Sequence, residues 1–134
     1  MSKTWNKISV ITAVYCFAGG VCYSESIKKT IYRIAKEEGV SGRIVYAIAM
    51  QESGLNTKAK GDYRNGKPTA FGIVQIRPIC HPTMSVKNCY NVEKSIRYLC
   101  NHLKKGPTWL QVKKWNGWGK MADRYVQKIK KRTR

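Results

Sequence analysis

Among the seven acidic residues of this chain, Glu25, Glu37, Glu38, Glu52, Asp62, Glu93 and Asp123, only Glu52 sits at the end of an apolar run. That run, Arg43 to Ser53, breaks directly into Gly54. Burying a carboxylate without a partner is costly, and the last turn of a helix is a poor place for an anion. Both effects raise a carboxyl pKa, which is what a general acid working near neutral pH requires. The plain alternative is a side chain bent out to solvent beside the helix cap. The other acids have simpler readings. Glu37 and Glu38 close an amphipathic helix beside Lys36 as solvated charges, and Glu93 occupies a first helical turn, where the dipole favours an acid. Asp123 is expected to pair with Lys120 or Gln127, and Glu25 begins the mature chain. Elimination leaves Glu52 and, in the polar stretch after it, Asp62.

No nucleophile constellation competes. His81 and His102 have no Ser or Cys with an acid nearby in sequence, and His102 reads as a surface or structural residue. There is no phosphate-binding glycine loop, no HExxH and no calcium loop. Without a CxxC pair, a metal site from the cysteines and histidines is not expected, nor is any cofactor.

These residues need a scaffold, and helical periodicity supplies it. Ile27, Ile31, Ile34 and Ala35 mark one face of a helix from about Glu25 to Glu38, ended by Gly39. Ser41 is the expected N-cap of the Glu52 helix. Asn56 to Thr69, with three lysines, two glycines and Pro68, reads as a long loop. Phe71 to Ile76 is short and apolar, and periodicity does not decide its conformation. Asn91 caps a helix whose Val92, Ile96, Leu99, Cys100 and Leu103 share a face up to Gly106. Trp109 to Trp115, the Asn116-Gly117-Trp118-Gly119 break and a last helix presenting Met121, Tyr125, Val126 and Ile129 complete a mainly α single domain over residues 25–126. Residues 127–134 form a basic C-terminal tail, expected to be frayed and solvated.

The chain carries a formal charge of +19 over 134 residues, which implies an anionic partner without saying which. Lys3 and Lys7 precede an uncharged apolar stretch from Ile8 to Val21, the layout of a secretory signal. The stretch is short for a membrane span of about 20 residues. Cleavage after Ser24 is expected, with an uncleaved anchor or a lipid anchor on Cys22 as alternatives; the domain then works in the periplasm or outside the cell. The mature chain would keep +17, two lysines fewer. Export permits disulfides. Of Cys80, Cys89 and Cys100, the first two close a short loop and are expected to pair, and Cys100 reads as core.

Glu52-Ser53-Gly54-Leu55-Asn56, then Gly61-Asp62, then Ala70-Phe71-Gly72-Ile73-Val74-Gln75-Ile76, resembles the soluble lytic transglycosylase domain, closest to the compact members that accompany secretion, conjugation and phage systems. The resemblance spans about Ile27 to Val126. It implies a lysozyme-like fold, a monomer acting on peptidoglycan strands, and cleavage of the β-1,4 bond between N-acetylmuramic acid and N-acetylglucosamine with 1,6-anhydro ring formation. It implies Glu52 as the catalytic acid and base, Ser53 orienting the site, Gly72 letting the backbone approach the glycan, and Gln75 and Asn116 donating hydrogen bonds to the sugar. Tyr98, Trp115 and Trp118 are candidates for packing on sugar faces, each equally readable as core. Two departures stand out: Trp115 occupies the place of the family's usual Tyr, and Asp62–Thr69 lengthens the loop.

Two other readings stay open. One is a hydrolase of the goose-type lysozyme kind, with Asp62 as a second carboxylate holding a water; inverting enzymes place their carboxyls about 6.5–9.5 Å apart. The other is a non-enzymatic cationic module for the cell wall, a membrane or nucleic acid. No nucleic-acid motif supports the last.

Overall fold

The computed structural model describes residues 14–16 and 22–134. The leader expected over residues 1–24 lies outside the described residues, apart from two short strands that pair antiparallel, β1 (Val14–Cys16) and β2 (Cys22–Ser24). Six helices follow among the described residues: α1 (Ile27–Glu38), α2 (Gly42–Ser53), α3 (Val86–Cys89), α4 (Val92–Leu103), α5 (Thr108–Asn116) and α6 (Gly119–Arg132). One two-stranded sheet, β3 (Lys60–Gly61) with β4 (Ala70–Phe71), stands between α2 and α3.

Helix α2 is the hub, packing against α1, α4 and α6. Val45, Ala47, Ile48 and Ala49 are buried, so three sides of this helix face protein. An all-round apolar sequence has no stable place except the middle of the domain. Its neighbours are amphipathic and turn single faces inward: Ile31, Ile34 and Ala35 from α1, Ile96, Leu99 and Cys100 from α4, Val126 and Ile129 from α6. Local signals set their ends. Ser26 and Asn91 accept hydrogen bonds from the backbone N–H of Lys29 (3.2 Å) and Lys94 (3.0 Å), and Gly39 and Gly54 close α1 and α2 in the left-handed conformation. Ser41 stands at the N-cap of α2 as expected, without a side-chain capping bond.

Several expectations are corrected. The polar stretch after α2 is a β-hairpin, not a loop: Gly61 faces Ala70, Arg64 pairs with Lys67, and Asn65-Gly66 make the turn with φ of 50° and 73°. Positive φ at both central residues is the hairpin turn that Asn-Gly favours. The basic C-terminus is helix through Arg132, because Ile129 is fully buried and anchors it. On α6 the inward residue is Ala122, while Met121 is 72 % exposed. Glu37 and Glu38 are not simply solvated. With Glu25 and Glu93 they surround Arg33, Arg97 and Lys104, joining α1 to α4. Asp123 pairs with Lys113, at 2.6 Å, rather than within its own helix. Cys80 and Cys89 are both free thiols: Cys80 is exposed, whereas Cys89 turns from α3 into the core, so their side chains point apart in environment. Cys100 is core, as its helical face requires.

Candidate active site

A groove runs past the C-terminal end of α2, and Glu52 lies at its centre. On one side Glu52 shares a cavity of about 280 Å³ with Asp62, Ala70, Gln75, Arg77, Trp115 and Asn116. On the other it shares one of about 290 Å³ with Gln51, Asn116, Met121, Arg124, Tyr125 and Lys128. The groove therefore joins four elements: the end of α2, the hairpin with the turn after it, the end of α5, and α6.

The Glu52 carboxyl is closely surrounded by protein, and its pKa is raised from 4.5 to about 7. Burial is the principal cause. A hydrogen bond donated by the Tyr125 phenol to Oε1, 2.7 Å long, acts in the opposite sense by stabilising the ionised form. The same contact and the same burial push the phenol's own pKa far up, so Tyr125 stays a donor. A carboxyl that is half-protonated at neutral pH can both give and take a proton in one catalytic cycle.

The segment Phe71–Ile76 is a tight turn. Phe71 and Ile76 exchange backbone hydrogen bonds of 3.0 and 3.1 Å, with Gly72 at φ 81° and Gln75 at φ 52°. Ile73, Val74 and Ile76 are buried and hold the turn to the core. Gly72 has a structural role different from the expected one. It is buried, and a Cβ there would run into the backbone carbonyl of Cys89, so its missing side chain admits α3 rather than a glycan. Ser53 donates 2.7 Å to the Ile73 carbonyl, with the Ala49 carbonyl at 3.3 Å; it ties α2 to the turn and does not line the groove. Its hydroxyl hydrogen is spent on holding the turn against α2.

Gln75 does line the groove, but both of its amide hydrogens are engaged, by the carbonyls of Gly72 (2.9 Å) and Ala59 (3.3 Å). It can offer a ligand only its oxygen, as an acceptor, and not the donation expected of it. Its left-handed backbone is uncommon for a residue with a side chain and is held by those two bonds. Asn116 is exposed and belongs to the cavities on both sides of Glu52, with its amide not committed to any hydrogen bond among the described residues.

Trp115 forms a wall of the groove. Its indole is stacked on His81, with centroids 5.6 Å apart and planes at 27°, and meets the edge of His102 at 5.2 Å. Tyr98 packs beside this wall, its hydroxyl 2.9 Å from Nδ1 of His81, and lines neither of the two cavities beside Glu52. His102 Nε2 is 2.8 Å from the Gln111 carbonyl. Burial lowers the pKa of both histidines, so they brace Trp115 as neutral rings. Trp118 is 71 % exposed with the Lys114 ammonium over its face, outside the cavities beside Glu52.

Asp62 faces the same cavity as Glu52. Its carboxylate is 3.1 Å from Arg77 Nε and 3.9 Å from Arg64, so two guanidinium groups already claim it. Sequence reading missed Tyr125, Arg77 and Met121. Tyr125 lies on the buried face of α6 and reads as core until α6 is set against α2.

The fold and groove define a lysozyme-like, mainly α domain with one central carboxyl. The family model described as Transglycosylase SLT domain matches residues 29–122, most of the chain, and the chain belongs to that family. Membership assigns it lytic-transglycosylase-type action on peptidoglycan. No curated protein matches the chain.

Proposed function

We propose that the protein is a lytic transglycosylase that cuts the β-1,4 bond between N-acetylmuramic acid and N-acetylglucosamine, with Glu52 as its sole catalytic carboxyl. The observation that carries this reading is the Glu52 carboxyl, set between two cavities of the groove and hydrogen-bonded to Tyr125, where burial raises its pKa to about 7. Protonated Glu52 gives its proton to the glycosidic oxygen as the bond to the anomeric carbon breaks and positive charge develops on the sugar. The muramoyl 6-hydroxyl attacks that carbon and closes the 1,6-anhydro ring. Its proton passes to the Glu52 carboxylate, restoring the acid. No water is consumed and no enzyme nucleophile is needed. Asn116 and the Gln75 oxygen face the bound sugar, and Trp115 offers it an aromatic wall.

A hydrolytic reading draws support from Asp62, which lines the same cavity as Glu52. The engagement of Asp62 by Arg77 and Arg64 favours the single-carboxyl reaction. Mass spectrometry of purified peptidoglycan digested by wild type and by Glu52→Gln separates the readings. Anhydro-muropeptides, lighter by one water than hydrolytic products and lost in the variant, are the expected result. Reducing-end products alone would overturn it, and a fully active Glu52→Gln would remove Glu52 from the chemistry. A purely cationic binding module would release no fragments and would lose affinity steeply with salt.

The basic, then apolar N-terminus supports a domain that works outside the cytoplasm, in the periplasm or beyond, and we propose wall opening during secretion, conjugation or phage growth as its service. Cell fractionation with N-terminal sequencing of the exported form tests this, and a protein found only in the cytoplasm would refute it.

A further inference from the structure

The two ends of the groove differ in charge. Beyond Trp115, Arg77 is bound to Asp62 and the Lys114 ammonium sits over Trp118. On the other side, the cavity holding Glu52 continues through Gln51 and Lys128 into a second cavity of about 530 Å³, lined also by Lys131 and Arg132. Arg124, Lys128, Lys131 and Arg132 form no ion pair among the described residues. Six of the seven acids are engaged elsewhere, four in the α1–α4 network, Asp62 with Arg77 and Asp123 with Lys113, and the seventh, Glu52, is hydrogen-bonded to Tyr125. Four cations without an ion pair, contiguous with the groove and offset there only by the Glu52 carboxyl, form a patch suited to an anionic partner.

We propose that this flank is a subsite for the carboxylates of the stem peptide carried by the muramoyl sugar, with Lys128 and Lys131 as its principal anion-binding side chains. The inference rests on the transglycosylase reading above. Positions 124, 128 and 131 follow one another at four and three residues, which sets them along one helix face. At 1.5 Å per residue they extend over roughly 10 Å. An extended peptide covers that length in about three residues, at roughly 3.3 Å each. Arg132 is fixed at the rim by its 3.1 Å hydrogen bond to Gln51. The reaction itself selects the peptide over phosphodiester-linked wall polymers. Such polymers attach through the muramoyl 6-hydroxyl, which is the nucleophile of the ring closure, so the reacting sugar cannot carry one. The peptide, attached through the lactyl ether on C3, remains.

The test uses three preparations of purified glycan strands: peptide-bearing, stripped of peptide by an amidase, and peptide-bearing with the carboxylates amidated. The full chain and its Lys128→Gln/Lys131→Gln variant are compared by kcat/KM on each. Both lysines are exposed, so the variant is expected to melt like the wild type. The wild type should prefer peptide-bearing over stripped strands by about fivefold, and the variant should lose most of that ratio. Amidated strands should behave as stripped ones. An equal loss on all three substrates would reduce the patch to general adhesion and overturn the proposal, as would a ratio unchanged in the variant. Pelleting of the Glu52→Gln protein with each strand type reads the subsite without catalysis. Selective binding of peptide-bearing strands by a chain whose wild type makes no anhydro products would sink the catalytic reading and leave the subsite standing.

Discussion

The phenol of Tyr125, on α6, donates a 2.7 Å hydrogen bond to Oε1 of Glu52, at the end of α2. Two helices far apart in sequence thus meet at the carboxyl in the centre of the groove. Tyr125→Phe keeps the ring and removes the donor that favours the ionised carboxyl. The pKa of Glu52 should then rise beyond about 7. In a pH profile of kcat/KM, the limb that falls at high pH should move further up. kcat should drop about tenfold, because the carboxyl is no longer held at the scissile bond. A drop in activity with the limb unmoved would make Tyr125 a packing residue only.

Glu52 also links stability to pH. The folded protein keeps this proton up to about 7, while the unfolded chain releases it near 4.5. Its contribution to stability is therefore complete below the unfolded value and is lost as pH climbs through the folded one. Glu52→Gln removes that loss and keeps an oxygen for Tyr125. Urea denaturation should find the variant more stable than wild type by about 2–3 kcal/mol near pH 8, and close to it near pH 4.

Gly72→Ala should unfold before it alters binding. The added Cβ would meet the Cys89 carbonyl, and the residue stands at φ 81°. Backbone cannot yield there cheaply, so the cost should be about 3 kcal/mol, with Tm lowered by roughly 10 °C or more. Thermal unfolding followed by circular dichroism checks this. A variant of normal Tm that has lost only substrate affinity would return Gly72 to the glycan.

Thiol chemistry separates the cysteines. Cys80 is exposed, whereas Cys89 and Cys100 are buried, and burial raises the thiol pKa of both, that of Cys100 to about 11. In the chain without residues 1–24, which carry Cys16 and Cys22, iodoacetamide on the native protein should label Cys80 alone, and Cys80, Cys89 and Cys100 after denaturation, without prior reduction. A native protein in which Cys80 resists labelling until it is reduced would restore the Cys80–Cys89 bridge.

The helices were legible in the sequence because their apolar residues recur at helical spacing and capping residues flank them, as at Gly39 and Asn91. Glu52 was legible for a different reason: a charge at the end of an apolar helix conflicts with its surroundings, and that conflict is local. The hairpin was missed although Asn65-Gly66 signals it, because β3 and β4 have only two residues each and show no alternation. The roles of Gly72 and Gln75 were misassigned in part because their partners, the carbonyls of Cys89 and Ala59, are set by tertiary packing. Tyr125 could not be found for the same reason. Its position on a buried stripe says core, and only the meeting of α6 with α2 turns its hydroxyl into a contact with Glu52.

Gathering four carboxylates around Arg33, Arg97 and Lys104 on α1 and α4 has an effect at long range. That network, three cations against four carboxylates, is close to electrically balanced, while the flank of α6 that borders the groove is strongly cationic. Such a molecule carries a permanent dipole as well as a net charge. In the field of a polyanionic lattice the dipole exerts a torque, so the protein turns as it approaches. It reaches the surface with its groove already forward, and the rotational search that a uniformly charged body would need is shortened before first contact.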